Sequence, residues 1–123
     1  MDAILDLPPL EVLTHRFTYN PDSGEFLYRN PIRPNRNPPG SPAGYLTERG
    51  WLRVKIGYRH YRVARVVWKM YYGEDPPKDM SIDHLNRNRV DNRIENLKLC
   101  THSENSKNKH HPNKRVPTTF NSQ

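Results

Sequence analysis

Residues 82–109 read IDHLNRNRVDNRIENLKLCTHSENSKNK, and this stretch decides the fold. Ile82 leads into Asp83 and His84, and a polar run follows over 85–92. Ile94, Leu97 and Leu99 are then the apolar residues of an alternating stretch that ends at Cys100. Thr101-His102-Ser103-Glu104 has the form of a capping box, in which Thr101 caps a helix and Glu104 reaches back. The pattern predicts strand, loop and strand, then a helix from about residue 102 to about residue 109, with Pro112 blocking its continuation. Such a unit has too few apolar side chains to fold alone. A bound metal and the preceding residues would both help to hold it.

The polar residues of this stretch suit a metal and a base. Asp83 offers a hard oxygen for a Mg²⁺-like ion. His84 can take a proton from water near neutral pH. Strand neighbours point to opposite faces unless the strand ends there, so at a strand end both can serve one site. Asn105, in the first turns of the expected helix, could bring a carbonyl oxygen to the same ion. Taken singly, each residue has a blander reading. A lone histidine is usually a surface or hydrogen-bonded group, and Asp91, Asn92, Asn96 and Asn105 could each be a turn or cap residue. The ordered set within one strand-loop-strand-helix frame carries the signal.

Upstream, residues 63–72 (VARVVWKMYY) place Val63, Val66, Val67 and Met70 at helical spacing, with Gly73 as the C-terminal cap and Pro76-Pro77 beyond it. Trp68 and Met70 read as packing residues. Residues 44–62 have strand character. Leu52, Val54 and Ile56 share one face, and Trp51, Arg53 and Lys55 share the other. Gly57-Tyr58-Arg59 reads as a turn and His60-Tyr61-Arg62 as a partner strand. The exposed face would carry Arg53, Lys55, Arg59 and Arg62 among aromatics, a surface for backbone phosphates or an ordinary wet face. Residues 30–43 hold five prolines and must be loop. Phe17, Tyr19, Phe26 and Tyr28 alternate with polar residues around Asn20-Pro21-Asp22-Ser23-Gly24, a hairpin pattern. A short helix from Pro9 to His15 precedes it.

Composition bounds the rest. The 123 residues are 33% hydrophobic, with 12 prolines and a mean hydropathy of −1.02, so the core is small. Cys100 is the single cysteine, which excludes disulfides and a four-thiolate zinc site, and no structural zinc is expected. One unpaired thiol in a core-like run fits a reducing compartment. The net charge of +7 points to a polyanionic partner, with nucleic acid ahead of a membrane surface. No long apolar run spans a bilayer, and the acidic, proline-interrupted start reads as neither secretory signal nor transit peptide.

The order Asp83-His84, Asn96-Leu97 and Glu104-Asn105 resembles the HNH endonucleases of the ββα-metal type. The resemblance is closest to the phage-encoded and homing-type branch, whose core reads roughly DH..G...DN...NL...T..EN..N. It is specific over 82–109 and extends weakly over most of 17–109. It implies that His84 is the general base. Asp83 and Asn105 would hold a single divalent ion, Mg²⁺ first and Mn²⁺ or another second. Asn96 would bond across the loop and orient His84, and Asn108 would support the site. His102 is a rival to Asn105 as a ligand. Asn105 stands where the motif's final His would be, Arg87 where a loop glycine is expected, and Ala64 where a His commonly precedes the helical Arg65.

These readings together give an α+β chain, a small N-terminal antiparallel sheet plus helix followed by a ββα-metal finger. The divisions are an N-terminal segment (1–16), a basic sheet-plus-helix DNA-binding region (17–76), the HNH motif (77–111) and a flexible tail (112–123). The expected activity is hydrolysis of phosphodiester bonds in DNA, a nick or a double-strand cut, and Arg87, Arg89 and Arg93 of the finger loop could clamp phosphates beside the cut or form a solvated loop face. A non-catalytic DNA-binding protein and a ribonuclease or structure-selective nuclease are the alternatives. The partner is DNA, duplex by expectation, with no membrane and with monomer and dimer both open. The resemblance implies an intracellular setting, the cytoplasm of a phage-infected bacterium.

Overall fold

The computed structural model describes residues 6–101. Its elements run α1 (Leu10–Arg16), β1 (Phe17–Tyr19), β2 (Phe26–Tyr28), β3 (Tyr45–Leu46), β4 (Leu52–Ile56), β5 (Arg59–Arg62), α2 (Val63–Tyr72), β6 (Met80–His84), a 3-10 turn (Ile94–Asn96) and β7 (Leu97–Thr101). The strands form three small antiparallel sheets, β1-β2, β3-β4-β5 and β6-β7. The α+β expectation holds. The capping box beyond Thr101, the finger helix and the tail lie outside the described residues.

The core forms where both helices meet the sheets. Leu13 of α1, Phe17 of β1, Val54 of β4 and Val63, Val66 and Val67 of α2 are fully buried. Phe17 stacks on Phe26 with ring centroids 4.7 Å apart. Burying each such side chain contributes about 1.5–3 kcal/mol, which lets a chain this polar hold a compact centre. The helical spacing of the valines accounts for α2, and Gly73 closes it in a left-handed conformation with its N–H bonded to the Lys69 carbonyl. Trp68 and Met70 are partly buried against this core, as packing residues should be.

The segment before α1 is tied to the end of α2. Lys69 is buried, and its Nζ lies 2.8 Å from the Pro8 carbonyl and 2.7 Å from an Asp75 oxygen. The Leu7 N–H donates to the other Asp75 oxygen. Burial pushes the Asp75 carboxyl up, but the hydrogen bonds from Lys69 and Leu7 and the charges of Lys69 and Arg65 outweigh it and hold the group below its usual range.

Two local expectations are corrected. Arg59 belongs to β5 rather than to the turn. Gly57 adopts φ 67°, which allows a two-residue connection, so the strand begins one residue earlier. Ile94 to Asn96 is a 3-10 turn rather than strand. Strict alternation from Ile94 would place it opposite in phase to Leu97 and Leu99. The turn shifts the phase, so Ile94 packs against the core beside buried Leu97.

Candidate active site and nucleic-acid face

The β6-β7 ladder sets the site. Asp83 pairs with Lys98 and His84 with Leu97, at the end of β6 where the chain turns away. Arg65 of α2 holds the approach to β6. Its guanidinium donates to the Met80 and Pro76 carbonyls at 3.1 and 3.3 Å, fastening the connector to the helix. Spacing alone offered no signal for this contact.

The loop between the two strands is built from side-chain amides. Asn96 is buried. Its Oδ1 accepts the Asn86 N–H at 3.0 Å, and its Nδ2 donates to Asn86 Oδ1 at 2.9 Å and to the Asp91 carbonyl at 2.8 Å. The Leu85 N–H donates to the Asn96 carbonyl at 2.9 Å. Asn96 thus bonds across the loop. The side chain that meets His84, however, is Asn92. Asn92 Oδ1 lies 2.8 Å from His84 Nε2, and both residues are buried. An amide oxygen only accepts, so Nε2 carries the proton and Nδ1 is left as the basic nitrogen. In the sequence Asn92 reads as a turn residue and as the Asn of the DN pair in the family's core pattern, with no role toward His84 assigned to it.

Asp91 and Arg93 lock the far side of the loop. Arg93 Nε and Nη2 donate to the two Asp91 oxygens at 2.9 Å each, and Asn86 Nδ2 donates to Asp91 at 2.7 Å. The Arg93 hydrogen bonds are the largest influence on the Asp91 carboxyl. Burial opposes them, and the bonds from Asn86 and the Arg93 N–H add to them, so its pKa falls to about 2. Arg93 also reaches Glu95 at 2.9 Å. The Arg93 donors are therefore committed to their own loop, whereas Arg87 and Arg89 are exposed on it. Arg87 has φ 65°, the left-handed conformation for which a glycine was expected. Its N–H donates to the His84 carbonyl at 2.9 Å, closing the turn directly after the histidine.

Among the described residues no three His, Cys, Asp or Glu side chains are grouped to hold a metal ion. Asp83 is half-buried, with the weakly donating Cys100 thiol at 4.0 Å, so its oxygens keep lone pairs for a hard cation. One carboxylate completed by an amide, water and substrate phosphate fits Mg²⁺ chemistry. Asn105, Asn108 and His102 lie outside the described residues.

The second cluster is the outer face of β3-β4-β5. The register pairs Arg53 with Tyr45 and with Arg62, and Lys55 with His60. These residues share a face. Arg59 pairs with Ile56, so by strand alternation it belongs with the opposite face, and His60 takes the place expected for it. Tyr45 Oη and His60 Nδ1 lie 2.5 Å apart. Two guanidinium groups lie over the Trp51 ring, that of Arg62 3.9 Å from its centroid and that of Arg89 4.3 Å from it. The sheet face and the loop after His84 therefore form one continuous basic and aromatic surface. Among the described residues no helix is long and apolar enough to cross a membrane.

Residues 61–107 match the family model described as HNH endonuclease. Over 66 residues the chain is 36% identical to YosQ of Bacillus subtilis (strain 168), a protein named as SPbeta prophage-derived and of the HNH homing endonuclease type, covering 54% of this chain and 37% of that one. It also superposes on the HNH homing endonuclease I-HmuI, from a structure described by its DNA binding and cleavage, with a TM-score of 0.59 and 18% identity over 91% of this chain and 62% of that one. At that identity the likeness is one of fold. The chain spans less than two thirds of either protein.

Proposed function

We propose, from the match of residues 61–107 to the HNH endonuclease family model, that the chain is a member of that family and a metal-dependent endonuclease hydrolysing phosphodiester bonds in DNA. The observation that carries the reading is the buried His84–Asn92 hydrogen bond beside Asp83, inside the matched stretch. His84 is the general base. With Nε2–H donated to Asn92, Nδ1 is the nitrogen that accepts a proton from the attacking water. Asp83 and Asn105 are the residues that would hold a divalent ion, Mg²⁺ before Mn²⁺. Such an ion, when bound, supplies charge stabilisation at the scissile phosphate and the leaving 3′ oxygen. Asn96 keeps the loop closed so that Asn92 faces the imidazole.

The remaining cations position DNA. Arg53, Lys55 and Arg62 on the sheet and Arg87 and Arg89 on the loop would meet duplex phosphates. Residues 17–76 thus act as the DNA platform and 77–111 as the nuclease unit. The prophage origin in the name of the Bacillus relative supports a phage-type protein working on DNA inside a bacterial cell.

A plasmid assay tests the reading. The parent should nick or cut with Mg²⁺ or Mn²⁺ and stop on chelation, and His84→Ala should bind DNA but not cut it. Cleavage by His84→Ala at the parent rate removes His84 as base. Binding without cleavage by the parent, under every metal tried, leaves a DNA-binding module, and cleavage of RNA alone makes the protein a ribonuclease. Neutralising Arg53 and Lys55 together should weaken binding and flatten its salt dependence.

A further inference from the structure

We propose that Tyr19 is a positioning residue for His84, acting through Asn92, and that the β1-β2 hairpin is therefore part of the catalytic centre. The inference rests on the nuclease reading above and concerns residues upstream of the family-matched stretch, 61–107. The Tyr19 hydroxyl donates to the backbone carbonyl of Asn92 at 2.5 Å, across 73 residues of sequence. The side chain of the same Asn92 holds His84 Nε2. The three residues form a series, phenol to backbone carbonyl, then amide side chain to imidazole.

The hairpin grips this point of the loop in two further places. The Ile94 N–H donates to the Pro21 carbonyl at 3.0 Å. Gly24 lies so close that a Cβ on it would meet the Arg93 nitrogen at 2.8 Å and the Asn92 carbonyl carbon at 3.1 Å. Three consecutive residues, Asn92, Arg93 and Ile94, are thus fixed by one hairpin. On the other side Asn96 holds the preceding carbonyl, that of Asp91. Asn92 is buried, and among the described residues it is Tyr19 that gives its carbonyl a donor. Burial first, and then the neighbouring Tyr71, Tyr72 and Asp91, raise the Tyr19 pKa well above the usual phenol value, which keeps the donor proton in place. A platform that only bound DNA would have no need to reach the residue that orients the base.

The test compares the full chain with Tyr19→Phe, Asn92→Ala and the double variant. It reads single-turnover plasmid cleavage in Mg²⁺, DNA affinity with Ca²⁺ replacing Mg²⁺, and ring ¹⁵N shifts of His84 in the DNA-free protein. Phe keeps the packed ring and removes only the donor. Tyr19→Phe should cut about tenfold slower, the scale expected for residues that orient a catalytic group through another, with affinity within about twofold of the parent. Groups acting in series are not additive, so the double variant should be no slower than Asn92→Ala alone. Both single variants should move the His84 ring shifts away from the Nε2–H pattern. Parent-like cleavage and ring shifts in Tyr19→Phe overturn the proposal, as does a multiplicative loss in the double variant. A parent that cuts no DNA would sink the nuclease reading, and the ring shifts would still decide whether Tyr19 fixes the imidazole.

Discussion

The guanidinium of Arg89 stacks on the ring of Trp51, its carbon 4.3 Å from the ring centroid, and so joins the loop after His84 to the start of β4. Arg89 Nη1 also donates to the Arg49 carbonyl. Arg89 is thus both a strut and an exposed cation, and the two roles separate in measurement. Arg89→Ala should lower unfolding stability by about 0.5–1 kcal/mol, the scale of an exposed cation–π contact. If Arg89 also meets phosphate, the slope of log binding constant against log salt should shrink by about 1. A lower Tm with an unchanged slope would leave it a strut alone.

Asn92→Ala probes the chemistry at His84. Removing the amide frees Nε2 and lets the ring change tautomer, so single-turnover cleavage should fall about 10- to 100-fold. DNA affinity should stay near the parent value, since a buried amide offers nothing to phosphate. Gel-shift affinity and plasmid cleavage on the same preparation check this. A cleavage rate equal to the parent's would mean that the imidazole is held by other groups.

The sequence disclosed elements and faces more fully than contacts. The valine spacing of α2, the aromatic alternation of β1-β2 and the proline-rich loop each rest on local pattern, and each stands in the structure. Asp83-His84 also falls at a strand end as expected. The DN pair of the family pattern falls on Asp91-Asn92, but the role of Asn92 as partner of His84 was hidden, because an Asn in a polar loop looks the same whether it turns the chain or orients a ring. Tyr19 was hidden more deeply. Its hydroxyl meets Asn92 only after the hairpin folds against the finger, and no period or motif records a contact so distant in sequence. The role assigned to Arg59 slipped because one glycine turn fixes the parity of a whole strand.

Arg87 carries backbone strain at φ 65°. A non-glycine residue in the left-handed region costs about 1–2 kcal/mol, and glycine relieves this while adding about 0.5–1 kcal/mol of unfolded-state entropy. Arg87→Gly should therefore raise stability by about 0–1.5 kcal/mol, at about 4–8 °C of Tm per kcal/mol for a domain of this size. Thermal unfolding reads this directly. A fall in Tm would show that the Arg87 side chain contributes more than its backbone costs. The turn after His84 is kept, so any loss of cleavage in this variant should be overcome by raising the DNA concentration, as expected for a lost phosphate contact.

Asp91 supplies the pH dependence. Its carboxyl titrates at about 2 in the folded chain, held down first by Arg93 and then by Asn86 against the opposing effect of burial. In the unfolded chain it titrates at about 3.9. The folded pKa is the lower one, so the stabilisation is complete above about pH 4 and is lost as the pH falls towards 2. Unfolding by denaturant, followed from pH 6 to pH 2, should show the finger weakening in that window. Asp91→Asn cannot titrate and loses the paired charge. It should be less stable than the parent at pH 6, and the gap should narrow as the pH approaches 2. A gap that stays constant across the window would mean that the Asp91–Arg93 pair contributes through shape rather than charge.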